Sequence, residues 1–320
     1  VNPVVQSHEL HVAVGVVRGA AGEVLIARRH DHLHQGGLWE FPGGKVEAGE
    51  STLEALDREL HEELGIRVLR GEPLLQVRHA YADRSVLLDT FEVLEFSGTP
   101  QGREGQPIIW VAADDLSSFE FPAANRPILT AARLPDRYAI LDNPAEQDLS
   151  DCLHNLGASG VRVVQLRAKA LSDGAYRSLA TAALKIAADL GVSLLLNHDP
   201  QLALELGAQG VHLDSARLRR LDERPEGSHF WVAASCHNHS ELQKAEALGL
   251  DFAVLSPVCR TPSHSQAVPM GWERFRELVA TVNIPVYALG GMNLDCLPKA
   301  RQNGARGIAG IRGMVLGSLR

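Results

Sequence analysis

This sequence of 320 residues is short of several features that mark particular protein classes. No apolar run reaches the roughly 20 residues that a membrane-spanning helix needs, so no membrane partner is expected. Positive charge is in deficit. The 31 Lys and Arg against 39 Asp and Glu give a formal net charge of -8, which disfavours nucleic-acid polymers as partners. Single nucleotides are not excluded, because a divalent cation can neutralise their phosphates. Cysteine is scarce: Cys152, Cys236, Cys259 and Cys296 lie far apart in the second half, spaced neither as a disulfide framework nor as paired zinc ligands. Short-period repeats and low-complexity tracts are absent. The first residues, VNPVVQSHELHVAVG, carry no charged n-region or cleavage signal, and a cytoplasmic location is the expectation.

What remains is an ordinary globular composition, 45% hydrophobic and 22% charged, on a chain longer than one typical domain. Two domains are expected, and two rhythms are visible. Residues 10–16 and 23–28 read as strands around a turn at Gly19–Gly22. One strong helix follows at about 52–64, then strands near 74–80, 85–94 and 108–112, a pattern that points to an α+β domain. After Leu134-Pro135 the rhythm changes. Short apolar runs at 138–142, 161–166, 193–197, 210–213, 230–235, 252–256, 285–291 and 306–311 alternate with amphipathic stretches. That alternation predicts a (β/α)8 barrel, with a doubly wound sheet as the competing reading, because closure is invisible to pattern. The expected domains are 1–134 and 135–320, together an α/β multidomain chain.

The most informative stretch runs from Gly44 to Ile66. Ser51 with Glu54 forms a capping-box pattern, and Gly65 supplies a stop. Leu53, Leu56, Leu60 and Leu64 recur every three or four residues as a buried stripe. On the same helix Glu59, Glu62 and Glu63 fall at i, i+3 and i+4, clustered on one face. Such a face is self-repelling by a few tenths of a kcal/mol or more per close pair unless a cation offsets it. Magnesium, which prefers carboxylate and phosphate oxygens, is the suited cation, with manganese as the alternative.

These residues match the Nudix box, G-x5-E-x7-R-E-U-x-E-E-x-G-U, at every fixed position. The chain is thereby identified as resembling the Nudix hydrolases. The resemblance implies metal ligation by Glu59, Glu62 and Glu63, with the Gly43 carbonyl as an extra ligand. It also implies that Arg58 orients the cluster and Glu50 supports the loop. From residue 11 to 134 the flanks resemble the MutT branch of that family, through AVGVV, Arg28-Arg29, WEFPGGKVEAGE, Asp83-Arg84, Glu104-Gly-Gln-Pro and Phe121-Pro-Ala-Ala-Asn125. This implies a hydrolase of nucleoside triphosphates, foremost an 8-oxo-dGTP diphosphatase that sanitises the nucleotide pool for DNA replication and repair. Arg29, His34, Glu40, Phe41, Arg84 and Asn125 would then contact the nucleotide, and Glu104 would stand near the metals as a further catalytic carboxylate. Arginine forks suit phosphates and oxidised purine edges. An asparagine amide can read a purine edge, and Phe41 or Tyr81 could stack on the base. Asn125 reads equally well as a cap of the helix that follows. The alternating His30, His32 and His34 read as solvated loop residues rather than as a metal site.

Residues 138–314 resemble the thiamin phosphate synthase and thiazole tautomerase (TenI) family through Gln165-Leu-Arg167-Ala-Lys169, Leu196-Asn197, Gly210-Val-His-Leu213, Ser235-Cys-His237, Ser256-Pro257, Ala288-Leu-Gly-Gly291 and Gly307-Ile-Ala. The resemblance implies a ligand site at Gln165, Arg167, Lys169, Asn197, His237, Gly290 and Gly291 for a phosphorylated thiazole or pyrimidine. It breaks where the synthase reaction needs charge. Asn197-His198 stands where Asn-Asp belongs, Arg217 where an aspartate belongs, and Thr261-Pro-Ser-His264 where Thr-x-Thr-Lys belongs. The magnesium carboxylates and the pyrophosphate lysine are gone, and Asp199 or Asp214 could compensate only in a rearranged site. Synthase activity is not expected. A tautomerase-like proton shuttle at His237 and a residual binding or regulatory barrel are both left open. For the Nudix half, hydrolysis of thiamin-pathway diphosphates is the alternative that the fusion suggests.

Overall fold

The computed structural model describes residues 9–32, 35–81, 84–227, 230–261 and 266–314. The chain divides into two compact units, Val1–Leu134 and Pro135–Arg320.

In the first unit the strands are β1 (Leu10–Val17), β2 (Val24–Arg28), β3 (Trp39–Glu40), β4 (Gly43–Lys45), β5 (Arg67–Ala80), β6 (Ser85–Ser97) and β7 (Ile108–Val111), with helices α1 (Thr52–Leu64) and α2 (Arg126–Arg133). They form a four-stranded sheet of order β4-β1-β6-β5 and a three-stranded sheet β3-β2-β7. β1 runs parallel to β6 and antiparallel to β4, so it is a central strand buried on both faces. Its period-two alternation explains how. Ala13 and Val17 join the core beneath α1, while Val14 and Val16 join a second core with Ile128 and Ala131 of α2. Gly15 lies between Ala13 and Val17, and a Cβ there would meet Leu56 Cδ1 at 3.2 Å, so α1 rides close to the strand.

The capping box at Ser51 and Glu54 is formed on both sides, and Gly65 ends α1 at φ 75°. Leu56, Leu60 and Leu64 are fully buried. Leu53 departs from the expected stripe at 37% exposure: it lies in the first turn over Gly71, which offers no side chain to cover it. The structure adds two elements that periodicity did not reveal: β3 and β4 are two and three residues long, too short to show alternation. β5 starts at Arg67 and pairs with β6 through register shifts near Val68, Arg70 and Pro73, which break the alternation along its first half.

The second unit is a closed barrel of eight parallel strands: β8 (Arg137–Asp142), β9 (Val163–Arg167), β10 (Ser193–Leu196), β11 (Gly210–Leu213), β12 (Trp231–Cys236), β13 (Phe252–Leu255), β14 (Val286–Leu289) and β15 (Gly307–Gly310). Closure of β15 onto β8 excludes the doubly wound alternative. The helices are α3 (Leu149–Ala158), α4 (Asp173–Asp189), α5 (Pro200–Glu205), α6 (Ser215–Arg220), α7 (His239–Ala247), α8 (Gly271–Val279) and α9 (Leu297–Gln302). Inside the barrel, Tyr138, Phe252 and Tyr287 form an aromatic layer with ring centroids 5.2 to 5.8 Å apart. A barrel filled in this way is a packed core, and chemistry is confined to the carboxyl ends of the strands.

Candidate active site

The acidic site of the first unit is assembled from a glycine turn, one helix and one loop. Gly43 has φ 143°, and a Cβ there would fall 2.1 Å from the Ala13 carbonyl oxygen, so only glycine lets β4 lie this close to β1. A Cβ on Gly44 would fall 2.2 Å from the Glu59 carboxyl carbon. The turn therefore leaves room for a carboxylate. Gly43 N–H donates to Glu63 Oε2 at 3.3 Å. The loop at 101–106 is fastened to the end of α1: Gln101 N–H donates to Leu64 O at 3.0 Å, Arg103 N–H to Glu63 O at 2.9 Å and Gln106 Nε2 to Glu63 O at 3.2 Å. These bonds satisfy carbonyls that a helix end leaves open, and they carry Glu104 towards Glu63.

Burial pushes the Glu63 carboxyl up to about 8, helped by the charges of Glu40, Glu104 and Glu59 and opposed by the Gly43 N–H. Burial also raises Glu40, against the attraction of Arg29, whose Nη1 donates to Glu40 Oε2. Arg58 gathers the remaining charge. Its guanidinium donates to Glu50 at 2.7 Å, Glu59 at 2.8 Å and the Lys45 carbonyl at 2.9 Å, and lies 3.5 Å from Glu62. The Arg58 bonds hold Glu50 below the usual carboxylate range, and Glu50 also accepts from Glu47 N–H, bracing the loop.

Glu62 stands apart from Glu63 at 58% exposure, since adjacent helix residues point about 100° apart, and it faces Arg58 together with Glu59. Among the described residues no three His, Cys, Asp or Glu side chains come close enough to cage a metal. The group beside Glu63 is instead Glu40, Glu59 and Glu104. Its donor chemistry fits a hard divalent cation: all four are carboxylates, and Glu63 is half-buried among like charges.

The nucleotide-facing residues vary in what they offer. Phe41 is only 4% exposed and packs against Phe121 with ring centroids 5.3 Å apart. Its ring is part of the core, so of Phe41 and Tyr81 it is the less open to a base. Tyr81 is partly exposed, edge-on to His79 at 4.5 Å. Asn125 makes no side-chain capping bond to α2, so its amide is not consumed as a cap. Arg84 is exposed and directly precedes β6. His34 and Asp83 lie outside the described residues. His30 stacks on His32 at 5.5 Å and meets the Glu104 carbonyl at 3.1 Å, a link between loops that spacing could not signal.

In the barrel, a cavity of about 790 Å³ opens at the carboxyl ends of the strands. Gln165, Arg167, Lys169 and Asn197 line it from β9 and β10, and His237, Gly290 and Gly291 from β12 and β14. All seven expected positions are thus brought around one cavity. His237 Nδ1 donates to the Ser256 carbonyl at 2.9 Å, a bond that assigns the proton to Nδ1 and leaves Nε2 as the free acceptor. Behind the cavity wall, Gln165 Nε2 donates to the Tyr138 hydroxyl at 3.2 Å, which meets His212 Nδ1 at 3.0 Å. His212 Nε2 lies 2.9 Å from Ser235 Oγ on the cavity surface. Burial holds His212 down at about 3, so it is neutral. Sequence reasoning missed this relay. Its residues alternate along their strands as core residues do, and only closure shows that they face one another.

Magnesium does not fit the barrel. Asp199 accepts from Gln201 N–H at 2.9 Å and caps α5. Asp214 caps α6, accepting from Arg217 N–H at 2.8 Å and Arg217 Nη1 at 3.0 Å. Burial would raise Asp214, but that N–H bond and the charges of Arg217 and Lys169 outweigh it and hold the carboxyl low. Asp142 is paired with Arg167. The residues 262–264 of the Thr261 loop lie outside the described residues.

Comparison with known proteins gives the class of each half. Residues 13–131 match the NUDIX domain family, and residues 137–314 match the thiamine monophosphate synthase family. The chain belongs to both families, one in each unit. Among its relatives is the 8-oxo-dGTP diphosphatase of Escherichia coli, 37% identical over 38% of this chain and 94% of that protein. The CTP pyrophosphohydrolase of the same organism is 39% identical over 34% of this chain and 82% of that protein. The barrel half is 37% identical to an Aquifex aeolicus protein provisionally named thiamine-phosphate synthase 2, over 56% of this chain and 96% of that protein.

Proposed function

We propose that residues 1–134 form a metal-dependent pyrophosphohydrolase that acts on oxidised purine nucleoside triphosphates, with 8-oxo-dGTP as the leading substrate. The observation that carries this reading is the half-buried Glu63 carboxyl, held under the Gly43 N–H in a group with Glu40, Glu59 and Glu104. The likeness to the E. coli 8-oxo-dGTP diphosphatase supports the choice of nucleotide. Glu59, Glu63 and the Gly43 backbone would hold magnesium, or manganese in its place, with Glu62 recruited by rotation from the surface. When bound, the cation supplies Lewis acidity and lowers the pKa of the attacking water.

The chain's own residues do the rest. Water attacks a phosphorus of the triphosphate, the bond to the leaving oxygen breaks, and the products are the nucleoside monophosphate and pyrophosphate. Glu104, exposed on its fastened loop opposite Glu63, accepts the water proton. Arg29 is steadied by Glu40 and, with Arg84, meets the phosphates or the oxidised base edge. The Asn125 amide, not consumed as a cap, reads the purine edge. Arg58 holds Glu59 and Glu50 in register. The cytoplasm, where nucleotide pools are held, is the location consistent with this role.

The similarity to a CTP pyrophosphohydrolase supports a second reading, hydrolysis of a pyrimidine triphosphate. Turnover of a panel of nucleotides separates the two. Strong preference for 8-oxo-dGTP over dGTP, reduced in Asn125→Ala, is expected; preference for CTP or for a thiamin-pathway diphosphate refutes the first reading. For residues 135–320 we propose a barrel that takes a phosphorylated ligand and does not run the synthase reaction, since its carboxylates are engaged in caps and ion pairs.

A further inference from the structure

The carboxylate assigned as proton acceptor sits on an exposed loop, so what holds its backbone decides where it points. Glu104 is held on two sides. On the helix side the Gln106 side chain spans two backbones: its Oε1 accepts from Glu104 N–H at 2.9 Å, and its Nε2 donates to Glu63 O at 3.2 Å. A backbone N–H only donates and a carbonyl only accepts, so a flipped Gln106 amide would serve neither partner. This single side chain ties the backbone of Glu104 to that of Glu63. On the other side the Glu104 carbonyl meets His30 Nε2 at 3.1 Å, and because a carbonyl only accepts, that nitrogen carries a proton. The pairing of β2 with β7 brings His30 there, continuing beyond the strands through the bond from Arg28 N–H to Pro107 O at 2.9 Å. The loop that carries His30 is itself closed: Gly37 N–H donates to Arg29 O at 3.1 Å, and Arg28 Nε to Gly37 O at 3.1 Å.

We propose that Gln106 and His30 are positioning residues that clamp the Glu104 backbone from two sides, tying its carboxylate to Glu63 and to the loop that carries Arg29. This rests on the reading of Glu104 as acceptor of the water proton and adds what keeps it in place. The consequence is that the nucleotide-binding loop and the base move together: a shift of the loop is passed through His30 to the carboxylate.

The test uses the full chain and three variants, Gln106→Leu, His30→Phe and His30→Gln. The phenylalanine keeps a ring to stack on His32 but no donor, whereas the glutamine restores an N–H at the reach of Nε2. In EDTA, hydrogen exchange of the Glu104 amide should speed up about fivefold in Gln106→Leu and in His30→Phe, and return to the wild-type rate in His30→Gln. With magnesium and 8-oxo-dGTP, kcat should fall about fivefold in the same two variants and recover in His30→Gln, with KM unchanged within about twofold in Gln106→Leu. Thermal unfolding checks that each variant is folded. Unchanged exchange in Gln106→Leu or in His30→Phe overturns that side of the clamp. Faster exchange with unchanged kcat overturns the positioning role. A wild type that hydrolyses no nucleoside triphosphate, yet shows the exchange changes in its variants, overturns the hydrolase reading and leaves the clamp standing.

Discussion

Replacing Glu63 by Gln separates what that carboxyl costs from what it does. The change is nearly isosteric and keeps an acceptor for the Gly43 N–H, so its effect is electrostatic. In metal-free protein, Glu63 has its carboxyl raised from 4.5 to about 8 by burial and by Glu40, Glu104 and Glu59. A raised folded-state value means that stability is fully present below about pH 4.5 and is lost as pH rises through about 8. Each pH unit in that window costs at most about 1.4 kcal/mol, a ceiling near 5 kcal/mol. Rearrangement of the neighbouring carboxyls reduces the expected cost to about 2 kcal/mol. In EDTA, Glu63→Gln should therefore be the more stable protein at about pH 8 and equal to wild type at about pH 5. Hydrogen exchange of the α1 amides, corrected for intrinsic rates, reads this unit apart from the barrel. With magnesium the order reverses, because only wild type gains binding energy, and turnover by the variant should fall by at least about 100-fold. Equal pH dependence of stability in EDTA, or retained turnover with metal, would refute the assignment.

Three further outcomes follow from the geometry. Gly44→Ala meets only the movable end of Glu59, so stability should change by less than about 1 kcal/mol while turnover falls at least tenfold; Gly43→Ala meets backbone at 2.1 Å and should cost about 3 kcal/mol or more in thermal unfolding. Asn125→Ala should leave the melting temperature within about 1 °C, because no cap is lost, and should reduce selectivity for 8-oxo-dGTP over dGTP; a loss of stability near 1 kcal/mol would mean that the side chain is a cap after all. In the barrel, burial depresses His212 to about 3, so stability is complete above about pH 6.5 and falls by up to about 1.4 kcal/mol per pH unit below it. Hydrogen exchange of β11 amides should register that loss, and a stability flat from pH 6.5 to 4 would argue against a neutral His212.

Much of this protein was legible in its residues one by one. The Ser51–Glu54 cap, the Gly65 stop and the Leu56, Leu60 and Leu64 stripe are local chemistry with period 3.6, and they fold as written. The eight apolar runs of the second half became eight strands, because short apolar runs bounded by turns suit parallel strands buried on both faces. Three features needed the tertiary structure. β3 and β4 are too short to carry a period, so only their partners β2 and β1 define them. Closure of the barrel rests on the pairing of β15 with β8, far apart in sequence. The charge environment of Glu63 depends on Glu40 and Glu104, which a strand and a fastened loop bring to the helix. Local sequence determines helix, cap and strand because those signals lie within a few residues. It is silent on which carboxylates share a site and which are already spent on an arginine, since electrostatics depends on distance through space. That is why the acidic helix announces diphosphate chemistry from the sequence alone, while the spent carboxylates of the barrel, Asp142 with Arg167 and Asp214 with Arg217, emerge only when the chain is folded.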